Sequence, residues 1–390
     1  MFGLLFFHGF GTFFVALQRE FGWSRTLLSG AYSLSRVEGG MLGPLEGILI
    51  DRLGPRRVVL IGLTMSAIGF LLFSRTHTPT WFYASYLVMS LGFSLAGWLT
   101  LSTAVNNWFI RRRATAVSFL SVGLSIGGLM VPLLALALEG LGWRTTSVAI
   151  AVLVMAIGAP MAMVLRRRPE DFGLLPDGAP SRPTATGGGT AIPSVDFTIW
   201  QAVRTRAFWA VSLGHAVALI PTTAVVVHLV PFLDNEVRLP LAVAATVVTV
   251  STAIGIPAQV LGGMTGDKVD KRLALALLSA GQGVALLVLA VTHNLLVAML
   301  FAVLHGVTWG ARAPLTTAIR GDYFGRRYFA TISGTMNIIT TLGSVAGPLF
   351  VGVMADRVGY RPAFLVAAAV TVLGSLLFLA ARRPTLPQQA

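Results

Sequence analysis

Ten residues after the second long apolar run decide the fold: Gly47-Ile48-Leu49-Ile50-Asp51-Arg52-Leu53-Gly54-Pro55-Arg56. The same pattern returns 216 positions later as Gly263-Met264-Thr265-Gly266-Asp267-Lys268-Val269-Asp270-Lys271-Arg272. Further echoes keep nearly the same offset. Trp108-Phe109-Ile110-Arg111-Arg112 corresponds to Tyr323-Phe324-Gly325-Arg326-Arg327, Gly127 and Pro132 to Gly343 and Pro348, and Gly142-Trp143-Arg144 to Gly359-Tyr360-Arg361. Each pair sits at the same place relative to its apolar runs, so the chain reads as two copies of one six-helix unit.

The medium follows from composition. The chain has 390 residues, 55% of them apolar and only 11% charged, whereas a soluble domain carries about 25% charged residues. Apolar stretches fall near 1–17, 27–50, 58–74, 81–106, 114–138, 145–165, 207–231, 239–264, 273–292, 294–319, 329–354 and 362–381. Twelve spans of roughly 22 residues use about 264 positions, which leaves too little for a sizeable extramembrane domain. The expected fold class is an all-α integral membrane protein, with twelve transmembrane helices in two pseudo-symmetric six-helix bundles. Residues 1–165 form the first bundle, 166–206 a cytoplasmic linker, 207–381 the second bundle and 382–390 a cytoplasmic tail. The Pro- and Gly-rich stretch 180–193 reads as a flexible tether. Residues 196–206 read as a short surface helix with Asp196 near its N-terminus and Trp200 at the interface.

The formal charge of +14 is a topology signal. With the loop after the second span placed in the cytoplasm, 20 of the 29 basic residues fall on that side, Arg320, Arg326 and Arg327 among them, and seven on the other. That is the positive-inside pattern of a plasma (inner) membrane protein with both termini cytoplasmic, and no nucleic-acid role is expected. No basic stretch precedes the apolar run at Met1, which argues against a signal peptide. The repeat maps the start of the second bundle to a point before Met1, so a shortened first helix is expected.

The absence of cysteine excludes disulfides, thiolate nucleophiles and Cys-ligated metal, and six scattered histidines supply no metal set. No catalytic residue, metal or cofactor is expected, and the protein does not read as an enzyme.

Two six-span halves, each with Gly-x-x-x-Asp-Arg/Lys-x-x-x-Arg after its second span, resemble the major facilitator superfamily of secondary transporters. Phe21-Gly22-Trp23-Ser24-Arg25, Trp108-Phe109-Ile110-Arg111-Arg112 and Pro169-Glu170-Asp171-Phe172-Gly173, followed by Pro176-Asp177-Gly178, are similar to its monocarboxylate and oxalate/formate branch. The resemblance implies transport of a small organic anion, a monocarboxylate in particular, by alternating access, proton-coupled or by exchange. The expected partners are that substrate, protons and membrane lipid, with the protein a monomer. Spans eight and eleven carry no basic residue, where better-known members of the branch have one. An exporter of apolar or cationic compounds therefore stays open as the alternative.

Within the spans, Arg312 on the tenth is the leading substrate candidate. An arginine at mid-membrane costs roughly 2.5–3.5 kcal/mol on insertion scales, so it faces a cavity or a partner. It either meets substrate, pairs with an acidic neighbour or snorkels to an interface. The repeat sets Gly97, beside Trp98, in the matching position of the fourth span, and Gln259 and Asn337 are either cavity-lining or bonded between helices. Arg36 and Glu38 lie two apart and point to different faces of the second span, so each needs its own partner. Glu38, Arg36 and His228 are the proton-coupling candidates. Glu46 reads as a brace for the following loop. Gly39, Gly43 and Gly47 read as a packing face. Gly47, Asp51, Arg52 and Arg56, with Gly263, Asp267, Lys268 and Arg272, form the expected gate, an ion-pair lock at helix ends. The competing reading is a positive-inside anchor.

Overall fold

A backbone N–H or C=O without a partner is costly in hydrocarbon, so a chain this apolar satisfies its backbone inside helices. The computed structural model describes residues 13, 16–129, 131–178 and 196–385, and among them there is no β-strand. The first group of helices is α1 (Arg25–Leu53), α2 (Pro55–Ser74), α3 (Pro79–Leu95), α4 (Trp98–Trp108), α5 (Arg113–Leu129), α6 (Val131–Leu153) and α7 (Ala159–Val164). The second group is α8 (Ile199–Val203), α9 (Arg206–Asn235), α10 (Leu241–Gly266), α11 (Lys271–Ala290), α12 (Leu295–Phe324), α13 (Phe329–Val358) and α14 (Tyr360–Ala380). Nine helical segments among the described residues are long and apolar enough to cross a membrane. Most of the run near 1–17, and with it the expected shortening of the first helix, lies outside the described residues, as does the tether 180–193.

The chain divides into two compact units. One comprises Met1–Trp108, Val122–Gly189 and Tyr328–Gly334; the other comprises Phe109–Ser121, Thr190–Arg327 and Thr335–Ala390. The first turns of α13 thus pack in the first unit and those of α5 in the second. Glycines permit both approaches. A methyl group at Gly47 would lie 2.5 Å from the Ala330 carbonyl oxygen, and one at Gly263 would lie 2.5 Å from Ser118 Cβ. Gly43 also meets Gly334, whereas Gly39 has only Ser94 Oγ at 4.0 Å, so the packing face of α1 is its last two glycines.

The first unit is cored by aromatic rings: Phe70, Phe73, Phe82, Tyr86, Phe93 and Trp143 are buried together. The second is cored by Phe232, Phe301 and Phe364 among alanines of α11, α12 and α14. Helix starts repeat across the units as well. Thr78 caps α3 through the Trp81 amide, and Asn294, 216 positions on, caps α12 through the Val297 amide.

The tenth expected span ends at Ile319, but α12 continues to Phe324 and stops at Gly325, with φ of 84°. A 30-residue helix is about 45 Å long against a hydrocarbon layer of about 30 Å, so its last turns carry polar residues without ending the helix. Arg320, expected among the loop charges, is therefore inside α12 and 5% exposed. The surface helix after the linker is the short α8, closed by a Thr198–Gln201 capping box. Trp200 is exposed on it. Asp196 serves elsewhere: its Oδ1 accepts from the backbone amides of Arg326 and Arg327 at 2.7 and 3.1 Å.

The repeated Gly-Trp/Tyr-Arg motif marks a break in helical geometry. Gly142 inside α6 has φ 74° and ψ 159°, and Gly359 before α14 has φ 92° and ψ 164°, a region open essentially to glycine alone. A Cβ at Gly142 would meet nothing within 4 Å, so substitution there tests backbone strain without steric clash. Gly142→Ala is expected to cost about 1–3 kcal/mol, read as a lower melting temperature of the detergent-solubilised protein. An unchanged melting temperature would refute the assignment.

Candidate substrate site and helix latches

Arg312 is 2% exposed, and no carboxylate of its own unit pairs with it among the described residues. Its Nη2 donates to the Ala218 carbonyl oxygen at 3.3 Å and, at the limit of a hydrogen bond, to Thr222 Oγ1 at 3.5 Å. Nε and Nη1 are buried without a partner. Thr222 also accepts from Gln282 Nε2 at 2.7 Å. His305, two turns before Arg312, stacks on Phe301 with ring centroids 5.3 Å apart, and its Nδ1 has no partner. The guanidinium charge thus has neutral neighbours, held at long distances.

A second buried cation lies on the same helix. Arg320 donates from Nη1 to Asn337 Oδ1 at 3.2 Å and from Nη2 to His215 Nδ1 at 2.9 Å, and its Nε is unpartnered. Asn337 is therefore tied to Arg320. Gln259 is buried on α10, whose Gly255 and Gly262 pack directly on Trp309 and Ala311 of α12. Sequence reading placed Arg320 with the loop charges and gave His215 no partner. The one available signal was the eight-residue spacing from Arg312 within a helix.

The candidates of the first unit make a different set. Gly97 sits in the interruption between α3 and α4, and Trp98, partly exposed, begins α4. Glu38 hydrogen-bonds Ser90, and Glu46 hydrogen-bonds Ser94 one turn along α3. Each keeps one oxygen buried and unbonded. The side chain of Arg36 lies outside the described part. His228, in the second unit, donates from Nε2 to the Pro348 carbonyl oxygen at 2.9 Å and lies against Tyr360.

The doubled motif works through its acids in a way the expected ion-pair lock did not include. Asp51 Oδ2 accepts from the Thr331 amide at 2.9 Å and the Thr331 hydroxyl at 2.6 Å, at the start of α13. Asp267 accepts from the Ala114 amide at 2.8 Å, the Thr115 amide at 3.0 Å and the Thr115 hydroxyl at 2.6 Å, at the start of α5. Thr115 and Thr331 are themselves 216 apart. Each carboxylate takes bare N–H groups of a helix start, where the helix dipole favours negative charge. Of the basic members, Arg272 pairs with its neighbour Asp270 at 2.8 Å, while Arg52, Arg56 and Lys268 make no ion pair among the described residues. The hydrogen bond from Arg272 holds the Asp270 carboxyl below its ordinary range. Whatever that exposed pair contributes is present above the ordinary value of 3.8 and is lost as pH falls below it. Lys271 and Arg113 converge on Asp322, at 2.9 and 2.5 Å.

At the other ends of these helices a second repeated constellation closes each unit. Glu20 accepts from Trp143 Nε1 and from the Arg144 guanidinium, and Arg144 reaches the Thr76 carbonyl. Glu236 accepts from the Tyr360 amide and faces Arg361, and Arg361 reaches the Thr292 carbonyl. The branch motifs also meet in space: Trp108 and Asn107 donate to the carbonyls of Arg166 and Arg167, and Phe172 lies under the Arg166 guanidinium.

Residues 1–238 and again 211–390 match the family profile of the Major Facilitator Superfamily. The chain belongs to that superfamily. It is 27% identical over 380 residues to monocarboxylate transporter 13 of Rattus norvegicus, covering 96% of this chain and 84% of that one. To the oxalate:formate antiporter of Oxalobacter formigenes it is 23% identical over 370 residues, covering 93% and 84%. The fold is that of the E. coli fucose:proton symporter, with TM-score 0.76 at 14% identity, covering 98% of this chain and 96% of that one. A superfamily member is a multi-pass membrane transporter, and the likeness to the monocarboxylate and oxalate/formate relatives stated from the motifs holds along nearly the whole chain.

Asp51→Ala and Asp267→Ala each remove a cap worth about 1 kcal/mol, within a range of roughly 0.5–2. Asp51→Asn, which keeps an acceptor oxygen, should lose less. The comparison is read by thermal unfolding. Equal losses for Asn and Ala at Asp51 would show that the charge, not the acceptor, matters.

Proposed function

We propose that the protein is a secondary active transporter of a small organic anion, in particular a monocarboxylate, working as a monomer by proton coupling or exchange. The transport cycle rocks residues 1–165 against 207–381 about the linker 166–206, each half contributing six spans, in the plasma (inner) membrane with both termini cytoplasmic. The observation that carries the reading is Arg312: a buried guanidinium with two unpartnered nitrogens and no carboxylate of its own unit. A carboxylate substrate supplies the missing charge with two parallel hydrogen bonds. The monocarboxylate and oxalate/formate relatives support the same substrate class. Gln259, Asn337, Gly97 and Trp98 line the path, and Glu38, Arg36 and His228 are retained as proton-coupling candidates. The hydrogen bond of His228 to a backbone carbonyl favours a bracing role for that residue.

The helix-cap contacts of Asp51 and Asp267 are latches that open once per cycle in this reading. Gly47 and Gly263 allow the close approach, and the basic residues Arg52, Arg56, Lys268 and Arg272 hold the loops at the lipid headgroups. The alternative, export of apolar or cationic compounds, requires a protein carboxylate to neutralise Arg312, and its own unit supplies none among the described residues.

Uptake of labelled formate, lactate and oxalate into proteoliposomes under an inward proton gradient tests the proposal, with wild type, Arg312→Lys and Arg312→Ala run together. Wild type is expected to accumulate at least one of them. Arg312→Ala should lose that activity at least tenfold, and Arg312→Lys should recover part of it, since an ammonium keeps the charge without the fork. A folded wild type that moves none of the three sinks the organic-anion reading.

A further inference from the structure

Arg320 and His215 hold each other in a defined protonation state. A guanidinium has only donors and keeps its charge, so His215 Nδ1, 2.9 Å from Arg320 Nη2, is an acceptor. His215 is consequently the neutral tautomer with its proton on Nε2. The other polar contact of Arg320 is equally neutral, the side-chain oxygen of Asn337 at 3.2 Å. The buried cation is hydrogen-bonded but not charge-compensated, an arrangement that an arriving anion improves and a protein carboxylate would have made inert.

The edges of the guanidinium are not equally occupied. A carboxylate that grips an arginine side-on uses Nε–H together with one Nη–H, the parallel-bond geometry of strong pairs. In Arg320 the Nε is buried and unpartnered, and Nη2 is the nitrogen lent to His215. Nη2 carries two hydrogens, so an anion taking that edge frees the imidazole by drawing the charged guanidinium toward itself and away from Nδ1.

We infer that Arg320 and His215 form an anion-gated proton acceptor, in which a carboxylate engaging Arg320 frees His215 Nδ1 to take up a proton. This rests on the organic-anion reading above and adds two residues to it. Before the anion arrives, the direct hydrogen bond from Arg320 occupies the Nδ1 lone pair, and two arginines of α12, Arg320 and Arg312, face His215. Among the described residues α8, α10, α11, α13 and α14, the other helices packed on α9, set no further titratable or charged group against it. After the anion binds, one charge is neutralised and the Nδ1 lone pair is free. A proton from the aqueous phase adds to Nδ1, and the new positive charge balances the negative charge of the carboxylate. Because linkage is reciprocal, the proton in turn tightens anion binding, so anion and proton travel together.

The first test needs no variant. Addition of the carboxylate moved in the uptake assay, with acetamide as a neutral control, to weakly buffered detergent-solubilised protein with a pH dye should bind about one proton per carboxylate bound. Carboxylate binding without proton uptake overturns the inference while leaving the transport reading intact. Absence of any carboxylate binding overturns both. His215→Asn keeps an acceptor for Arg320 but cannot titrate. It should lose accumulation driven by a proton gradient and show no proton uptake on carboxylate binding. Arg320→Gln should weaken carboxylate affinity at least tenfold and abolish the proton uptake. Gradient-driven accumulation by His215→Asn equal to wild type also overturns the assignment.

Discussion

A helix start leaves four amides without intrahelical partners, and where those amides are buried, as at Ala114 and Thr331, a side chain takes the place of water. The structure meets that constraint with two aspartates borrowed from other helices. Asp51 closes the start of α13 and Asp267 the start of α5. The first turns of α13 and of α5 fall in the same compact units as Asp51 and Asp267 respectively. These contacts explain the residues around them. Glycine at 47 and 263 brings the backbones close enough, and threonine at 115 and 331 adds a hydroxyl donor to each carboxylate. A cap of this kind is worth about 1 kcal/mol, enough to favour one arrangement of these helix starts.

The duplicated and the unduplicated polar residues divide by purpose. Asp51 and Asp267, Glu20 and Glu236, Arg144 and Arg361, Thr78 and Asn294 occur at nearly one offset and do the same work in both units: they cap helices or tie helix ends. The buried charges do not repeat. Arg312 and Arg320 map onto apolar or glycine positions of the first half, and Glu38 and Glu46 map onto Ile254 and Gly262 of the second. Duplication preserved the frame, while the interior charges diverged, as expected if the frame moves as a unit and the charges handle one asymmetric cargo.

That division also marks what could be read from the chain. Offset, apolar runs and loop charges made the helical membrane architecture legible without coordinates, because they depend on composition and spacing; the superfamily came from the resemblance carried by the doubled loop motif. The identity of the aspartates' partners was not readable, since backbone amides carry no signature; charge alone suggested the neighbouring arginines. Arg320 was misplaced for a related reason. Hydropathy ends the run at Ile319, but hydrogen bonding carries the helix to Gly325. The same blindness hid the partner of His215, because its relation to Arg320 spans 105 residues and two helices.

A cation meant to bind and release cargo must not be satisfied by its own protein. A buried arginine paired with a carboxylate has its charge compensated and its edge filled, and an incoming anion gains little there. Arg312 instead has two bonds of 3.3 and 3.5 Å to uncharged oxygens, and Arg320 has two to a neutral imidazole and an amide. Such bonds orient a guanidinium without quenching its field. A ligand shifts an equilibrium only by its differential affinity for the two states. Under the proposed organic-anion reading, two cations whose contacts within their unit are uncharged among the described residues concentrate that difference on negative charge.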